Sequence, residues 1–437
     1  MGELPSIGVN PAADSVRATP IPSELDPTAP RRGHETCTGR NVHNEGSEDE
    51  SVSAHSSLAG TRVIELTHAI SGPQCGQILA DHGADVIKVE PPGGELAREA
   101  YPQLNSESVY FSCHNRGKRS IVLDLKTPGD LQILHDLVKS ADAVLTNYTV
   151  DVPRRLGWGF EVLKELNPSI VMAHITGFGS TGPDRDLRAL DGIIQAMSGV
   201  PSFSGTRESG PILAAAFVAD HVASYHAALG LMFALYRQKA TGEGGFVDIS
   251  MLNSYASVSA HAIGTSVAGE PPEPLGNRIA SSFGNTFQAS DGIVFLSPIG
   301  TVKWEKFCHA IGRQDWASDV SYESAIYEMR DYVEREINQW CAIRSRLEIK
   351  EVLAEYGIPC GPVQSPAEYA NHAIETDSGG VVEVRSPAGQ TFLVPGPVAP
   401  VGLTDDPNRF VVPQIGEHTA EVLAELGITR EQTVHDG

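Results

Sequence analysis

One carboxylate stands in a run of small and apolar residues. Asp220 lies inside residues 212–238, ILAAAFVADHVASYHAALGLMFALYRQ. An unpaired carboxylate is expensive to bury, so this one is either paired or used. Residues 212–219 read as a short extended segment. Residues 221–238 read as a helix, with Val222, Tyr225, Ala228, Leu229, Met232 and Leu235 at helical spacing. Asp220 then falls at the helix N-cap, where Asp is favoured because its side chain satisfies free backbone N–H groups. The same helix terminus favours the anion, which keeps the carboxylate ionised at neutral pH. An ionised, poorly solvated carboxylate can attack an activated carbonyl and form a covalent intermediate. A membrane span is excluded, because Asp220, His221, His226 and Arg237 interrupt the run.

The elements that must position Asp220 alternate. Residues 61–67, 84–92, 119–126, 141–148, 169–177 and 242–252 read as strands, and residues 71–83, 128–141 and 160–167 between them as helices. Strand–helix–strand units at this spacing predict a parallel sheet. Residues 188–200 read as a short helix with Asp191 at its start, again a plausible N-cap. Gly177, Gly179 and Gly182 match a dinucleotide-binding glycine pattern after a strand. PDRDLRA follows instead of an apolar helix, so a glycine-rich turn is expected. From about residue 277 the character changes to hairpins at 283–298 and 381–397 and intervening helices, which predicts a smaller α+β domain. Residues 416–427 read as a capped helix. The expected organisation is a tail at 1–58, a large domain at 59–255, a linker at 256–276, a small domain at 277–395 and a C-terminal return at 396–437.

Composition narrows the function. A net charge of −23 over 437 residues argues against non-specific binding to nucleic acid or to an anionic membrane. The six cysteines form no CxxC pair and no zinc spacing, as expected of reduced thiols in a soluble, cytoplasmic protein. The polar, acid-bearing composition of residues 1–58 predicts disorder.

Seven segments in order resemble the class III CoA transferases, the family of formyl-CoA transferase, carnitine CoA-transferase and α-methylacyl-CoA racemase. They are GTRVIELTHAISGP, GADVIKVEPPGG, NRGKRSIVLDLKTPGD, RRLGWGFEVLKELNPSIVMAHITGFGSTGP, the Asp220 segment, YGIPCGPVQSPAEY and GEHTAEVLAELG. The resemblance implies a Rossmann-like large domain, an interlocked homodimer, and Asp220 as nucleophile. Asp220 would attack an acyl-CoA thioester and leave an acyl-aspartyl anhydride. A carboxylic acid acceptor would resolve it, with no ATP, metal or permanently bound cofactor. By the same resemblance Arg116, Lys118, Arg119, Arg155 and Arg188 match positions around the nucleotide, where cations suit phosphate. His68, Asn147, Tyr148 and Asp191 also match positions at the CoA site.

Departures from the pattern separate the branches. Leu190 stands where the racemases carry a proton-transferring His, so two-base exchange would lack one base. Ile70 replaces a Gln that contacts the acyl group in formyl-CoA transferase, which suggests a more apolar acyl pocket. NRIASSFGN replaces a glycine-run loop, and Asn147-Tyr148-Thr149-Val150-Asp151 replaces Asn-Phe-Arg-Pro-Gly. Oxalate or formate specificity is therefore not implied. The alternatives are epimerase or lyase chemistry on an acyl-CoA, and a non-catalytic acyl-CoA binding protein.

Overall fold

The computed structural model describes residues 56–428. The expected tail lies outside them except at its end, where Leu58 is buried and the Ser57 N–H donates to the Gly402 carbonyl at 2.8 Å. Six parallel strands form the central sheet: β1 (Arg62–Leu66), β2 (Asp85–Glu90), β3 (Arg119–Val122), β4 (Ala143–Thr146), β5 (Val171–Thr176) and β6 (Gly245–Ser250). Their order is β3-β2-β1-β4-β5-β6, that of a doubly wound Rossmann-like sheet. Successive strand residues face opposite sides. Val63, Val86 and Leu145 enter one core, and Ile64, Ile87 and Val144 the other. Both faces are thus covered, as the largely apolar strands require.

Five helices concern the site: α1 (Ser71–Asp81), α2 (Val109–Asn115), α3 (Pro128–Lys139), α4 (Asp191–Met197) and α5 (Val218–Thr241). α3 and the helix Thr419–Glu425 cover one face of the sheet, and α1 and α5 the other. α5 seats an alanine-rich side, Ala219, Ala223, Ala227 and Leu231, against the sheet. Small residues permit a close approach. At Gly230 a Cβ would lie 2.7 Å from Val247 Cγ1 on β6, so only glycine fits. Gly242, at φ +75°, ends the helix.

A second, antiparallel sheet joins Asn285–Ala289, Gly292–Leu296 and Cys360–Pro362. Its core holds Trp304 and Trp316 stacked at 6.1 Å, with Phe283 and Phe307. The hairpin Val381–Arg385/Thr391–Pro395, expected within the small domain, shares a core instead with Ala97, Phe111 of α2 and Val412. Among the described residues no helix is long and apolar enough to cross a membrane.

Candidate active site

Asp220 is the third residue of α5, inside its first turn. The expected N-cap placement is therefore corrected: the preceding Phe217 flanks the helix and offers no side-chain cap. The free N–H groups are satisfied from across the fold. Asp191 Oδ2 accepts from Ala219 N at 2.8 Å and from Asp220 N at 3.2 Å. Asp191 begins α4 and does not cap its own helix; it caps α5. Gln195, one turn on, donates to Asp191 Oδ1 at 2.5 Å and pairs with the backbone of Ala214. The segment entering α5 is thereby tied to α4.

The Asp220 carboxylate faces Ser71, the first residue of α1. Burial pushes its pKa up, the charge of Asp191 adds to this, and the Ser71 hydroxyl and backbone N–H oppose it. The balance is about 6, so desolvation outweighs the helix N-terminus while the group remains mostly ionised at neutral pH. Ser224, one turn further along α5, bonds the Ser71 carbonyl at 2.8 Å and locks the two helices together.

α1 begins where the strand order reverses, between β1 and β4, the place where such sheets open a crevice. Asn147, after β4, clamps the β1–α1 turn: its Oδ1 accepts from His68 N at 2.9 Å, and its Nδ2 donates to His68 O at 2.7 Å and to Ser71 Oγ at 3.1 Å. The clamp holds Ala69 at φ +62°, a conformation that L-residues seldom adopt. The Tyr148 ring lies 5.1 Å from that of His68. His68, Asn147, Tyr148, Asp191 and Asp220 are thus brought to one end of the sheet. Ile70 is only 1 % exposed. Its side chain belongs to the core under the turn, not to the surface of an open acyl pocket.

The expected cations divide. Arg116 is buried and grips both oxygens of Asp81, at 3.0 and 2.7 Å, with the Pro395 carbonyl at 3.1 Å. Lys118 is buried against Glu65 at 2.8 Å, Asn115 and the Pro73 carbonyl. Burial pulls its pKa down to about 8 against the pull of Glu65. Arg119 pairs with Asp85, Glu421 and Glu425. These three are spent on carboxylates. Arg155 and Arg188 are exposed and, among the described residues, make no ion pair.

Comparison with known proteins decides the family. The family model described as CoA-transferase family III matches residues 58–419. The chain belongs to CoA-transferase family III. It is an enzyme of the CoA-transferase type. A formyl-CoA:oxalate CoA-transferase of Rhodopseudomonas palustris (strain BisA53) is 33% identical over 413 residues, 87% of this chain and 96% of that protein. A succinate–glutarate CoA-transferase of Agrobacterium fabrum is 33% identical over 388 residues, 84% of this chain and 95% of its own. A crystal structure of a CaiB/BaiF family protein from Brucella suis superposes with a TM-score of 0.75 at 27% identity, covering 85% of this chain and all of that one.

Sequence reasoning missed two parts of this candidate site. Lys88 is fully buried between Glu65 (3.1 Å) and Glu95 (2.9 Å) and donates to the Thr67 carbonyl at 3.2 Å. It braces the end of β1 just before His68. A charged pair inside otherwise apolar strands, Glu65 and Lys88 in VIEL and VIKVE, was the available signal. The other omission is α2, whose Ser108 cap (accepting from Phe111 N at 3.0 Å) was readable. α2 brings Tyr110 and His114 to the start of α5, where the Tyr110 ring lies 5.8 Å from Phe217 and the His114 ring 5.5 Å from His221. A further open cavity of about 320 Å³ lies beside β6, lined by His226, Asp248 and Asn253; Asp220 does not line it.

Proposed function

We propose that the protein moves CoA from an acyl-CoA donor to a carboxylic acid through a covalent intermediate on Asp220. The observation that carries this is the half-buried Asp220 carboxylate at the junction of two helix N-termini, with Asp191 fixing the backbone on which it stands. One Asp220 oxygen attacks the thioester carbon. The C–S bond breaks, CoA leaves as thiolate, and an acyl-aspartyl anhydride remains. The acceptor carboxylate attacks the acyl carbon and releases Asp220. The thiolate then attacks the acceptor's carbonyl carbon and displaces the donor acid. Each step exchanges one activated carbonyl for another, so no external energy source is consumed. Oxyanion charge falls near the N–H groups at the start of α1.

CoA itself is a substrate rather than a resident group. His68 and Tyr148 offer a wall to it at the crevice, and the exposed Arg155 and Arg188 are cations suited to its phosphates. One relative's name pairs formyl-CoA with oxalate and another's pairs succinate with glutarate; a short-chain acid acceptor is the corresponding expectation here. A homodimer is proposed by resemblance, and the apolar outer face of α5 is consistent with it.

The test is the intact mass of the protein mixed with several acyl-CoAs and quenched with hydroxylamine, wild type beside Asp220→Ala. A modified aspartate in the wild type alone is expected. Absence of any adduct, together with deuterium entering the α carbon of a bound acyl-CoA, would move the assignment to proton-transfer chemistry.

A further inference from the structure

Ser71 is buried at the start of α1, and its hydroxyl has no part in the steps above. Its surroundings fix the direction of that hydroxyl. Asn147 Oδ1 accepts from His68 N, so the amide nitrogen must turn the other way. Nδ2 donates to His68 O at 2.7 Å and to Ser71 Oγ at 3.1 Å. Ser71 Oγ is thus already an acceptor on the Asn147 side. A hydroxyl carries one proton, and here that proton goes to the Asp220 carboxylate, which the hydroxyl and the backbone N–H of Ser71 both reach. The donors run one way, from Asn147 through Ser71 to Asp220.

The backbone around Ser71 is held as firmly. Ser224 Oγ lies 2.8 Å from the carbonyl oxygens of both Ser71 and Asp220, so one atom joins the starts of α1 and α5. On either side of Ser71 a buried lysine takes a carbonyl. Lys88 donates to Thr67 O at 3.2 Å and Lys118 to Pro73 O at 2.8 Å, and Glu65 anchors both ammonium groups. The turn has no room to slacken. A Cβ on Gly72 would overlap Thr67, and one on Gly76 would overlap a Glu65 oxygen.

From this geometry, and resting on the CoA-transfer assignment, we propose that Ser71 is a catalytic residue. Its hydroxyl holds one oxygen of Asp220, leaves the other to attack, and stabilises the carboxylate as it is released from the acyl-enzyme. The free oxygen attacks the thioester carbon; the C–S bond breaks and the thiolate takes the electron pair. In the anhydride the held oxygen is the aspartyl carbonyl. When the acceptor carboxylate attacks the acyl carbon, the bond from that carbon to Asp220 breaks and its electron pair returns to the carboxylate. Ser71 keeps its proton throughout. Its hydrogen bond is charge-assisted toward the carboxylate and neutral toward the anhydride, and the charge-assisted bond is the stronger. Ser71 therefore favours release of the acyl group over its capture. The other groups around Asp220 act on it through charge: Asp191 from α4 and Tyr110 from α2, with His221 next to it on its own helix.

The experiment follows the acyl-enzyme of the full-length protein by acid-quenched intact mass. The probes are succinyl-CoA followed by glutarate, and formyl-CoA followed by oxalate. Wild type is compared with Ser71→Ala and Ser71→Cys, each checked for an unchanged circular dichroism spectrum. Carbon-13 titration of aspartate-labelled protein reads the Asp220 carboxyl itself, its signal identified by its loss in Asp220→Asn. In Ser71→Ala the carboxyl is expected to titrate higher by roughly half a unit to one unit. Decay of the adduct on adding acceptor slows by about tenfold, the scale of one hydrogen bond to a charged group. Adduct formation above that titration is as fast as in the wild type, or faster. A thiol is a weaker donor, so Ser71→Cys falls between the two. Formation and decay lowered alike would mean that Ser71 only shapes the site, and overturns the proposal. So does decay at the wild-type rate, or an Asp220 titration that stays in place. Absence of adduct in the wild type with both donors overturns the transfer assignment and the release step with it, while the carboxyl titration still decides whether Ser71 donates to Asp220.

Discussion

Asp220 is set by opposing forces that a single neighbour can tip. Desolvation and the Asp191 charge raise its pKa to about 6, and Ser71 limits the rise. In the proposed mechanism the attacking species is the carboxylate, so kcat/KM should rise with pH through that value and then level. Asp191→Asn removes one negative charge and keeps an oxygen that can accept from Ala219 N. The Asp220 pKa then falls, and the acid limb should move down by about half a unit to one unit. Initial rates across the acid range, with a fixed acyl-CoA pair, check this. A limb that stays in place in the variant would show that Asp191 acts only by capping α5.

At the scale of elements, the buried ion pairs are braces. Arg116 joins the end of α1, through Asp81, to the carbonyl of Pro395 at the end of the hairpin. Removing one partner of such a pair leaves an uncompensated buried charge, at a cost of about 3–5 kcal/mol. Arg116→Ala should therefore unfold at much lower denaturant concentration, while the surviving folded enzyme keeps its KM for acyl-CoA. Arg188→Ala should do the reverse, raising KM with stability unchanged. Denaturant titration beside steady-state kinetics separates the two. Arg116 and Asp81 show where the sequence falls silent. They are 35 residues apart, and local pattern does not choose partners over that distance. The strands were legible because their runs are largely apolar and, in β1, β2, β4 and β5, nearly every residue is buried. Asp220 was legible as the odd carboxylate, but its exact turn of helix was not. α5 starts earlier than expected because Asp191, from another helix, supplies the cap. α2 escaped notice because seven residues are too few for a helical period to stand out.

The whole molecule carries a charge of −23, yet α5 turns a run of large apolar side chains away from its core. Phe233 is 66% and Tyr236 78% exposed, and Tyr225 and Leu229 are close to half exposed. A lone soluble chain seldom leaves such a strip uncovered. Two copies meeting on it would bury apolar area against the mutual repulsion of two acidic chains. The competing terms respond to salt in opposite ways: repulsion is screened within a Debye length of about 8 Å at physiological ionic strength, and the apolar contribution is not weakened. Association should therefore tighten as salt is added, unlike an interface built on ion pairs between the copies. The wild type should sediment at twice its 46.6 kDa at micromolar concentration. Phe233→Asp combined with Tyr236→Asp should sediment as a single chain, because each aspartate would have to be desolvated at the contact. A wild type that runs at 46.6 kDa across salt concentrations would mean that this face serves something other than a second copy.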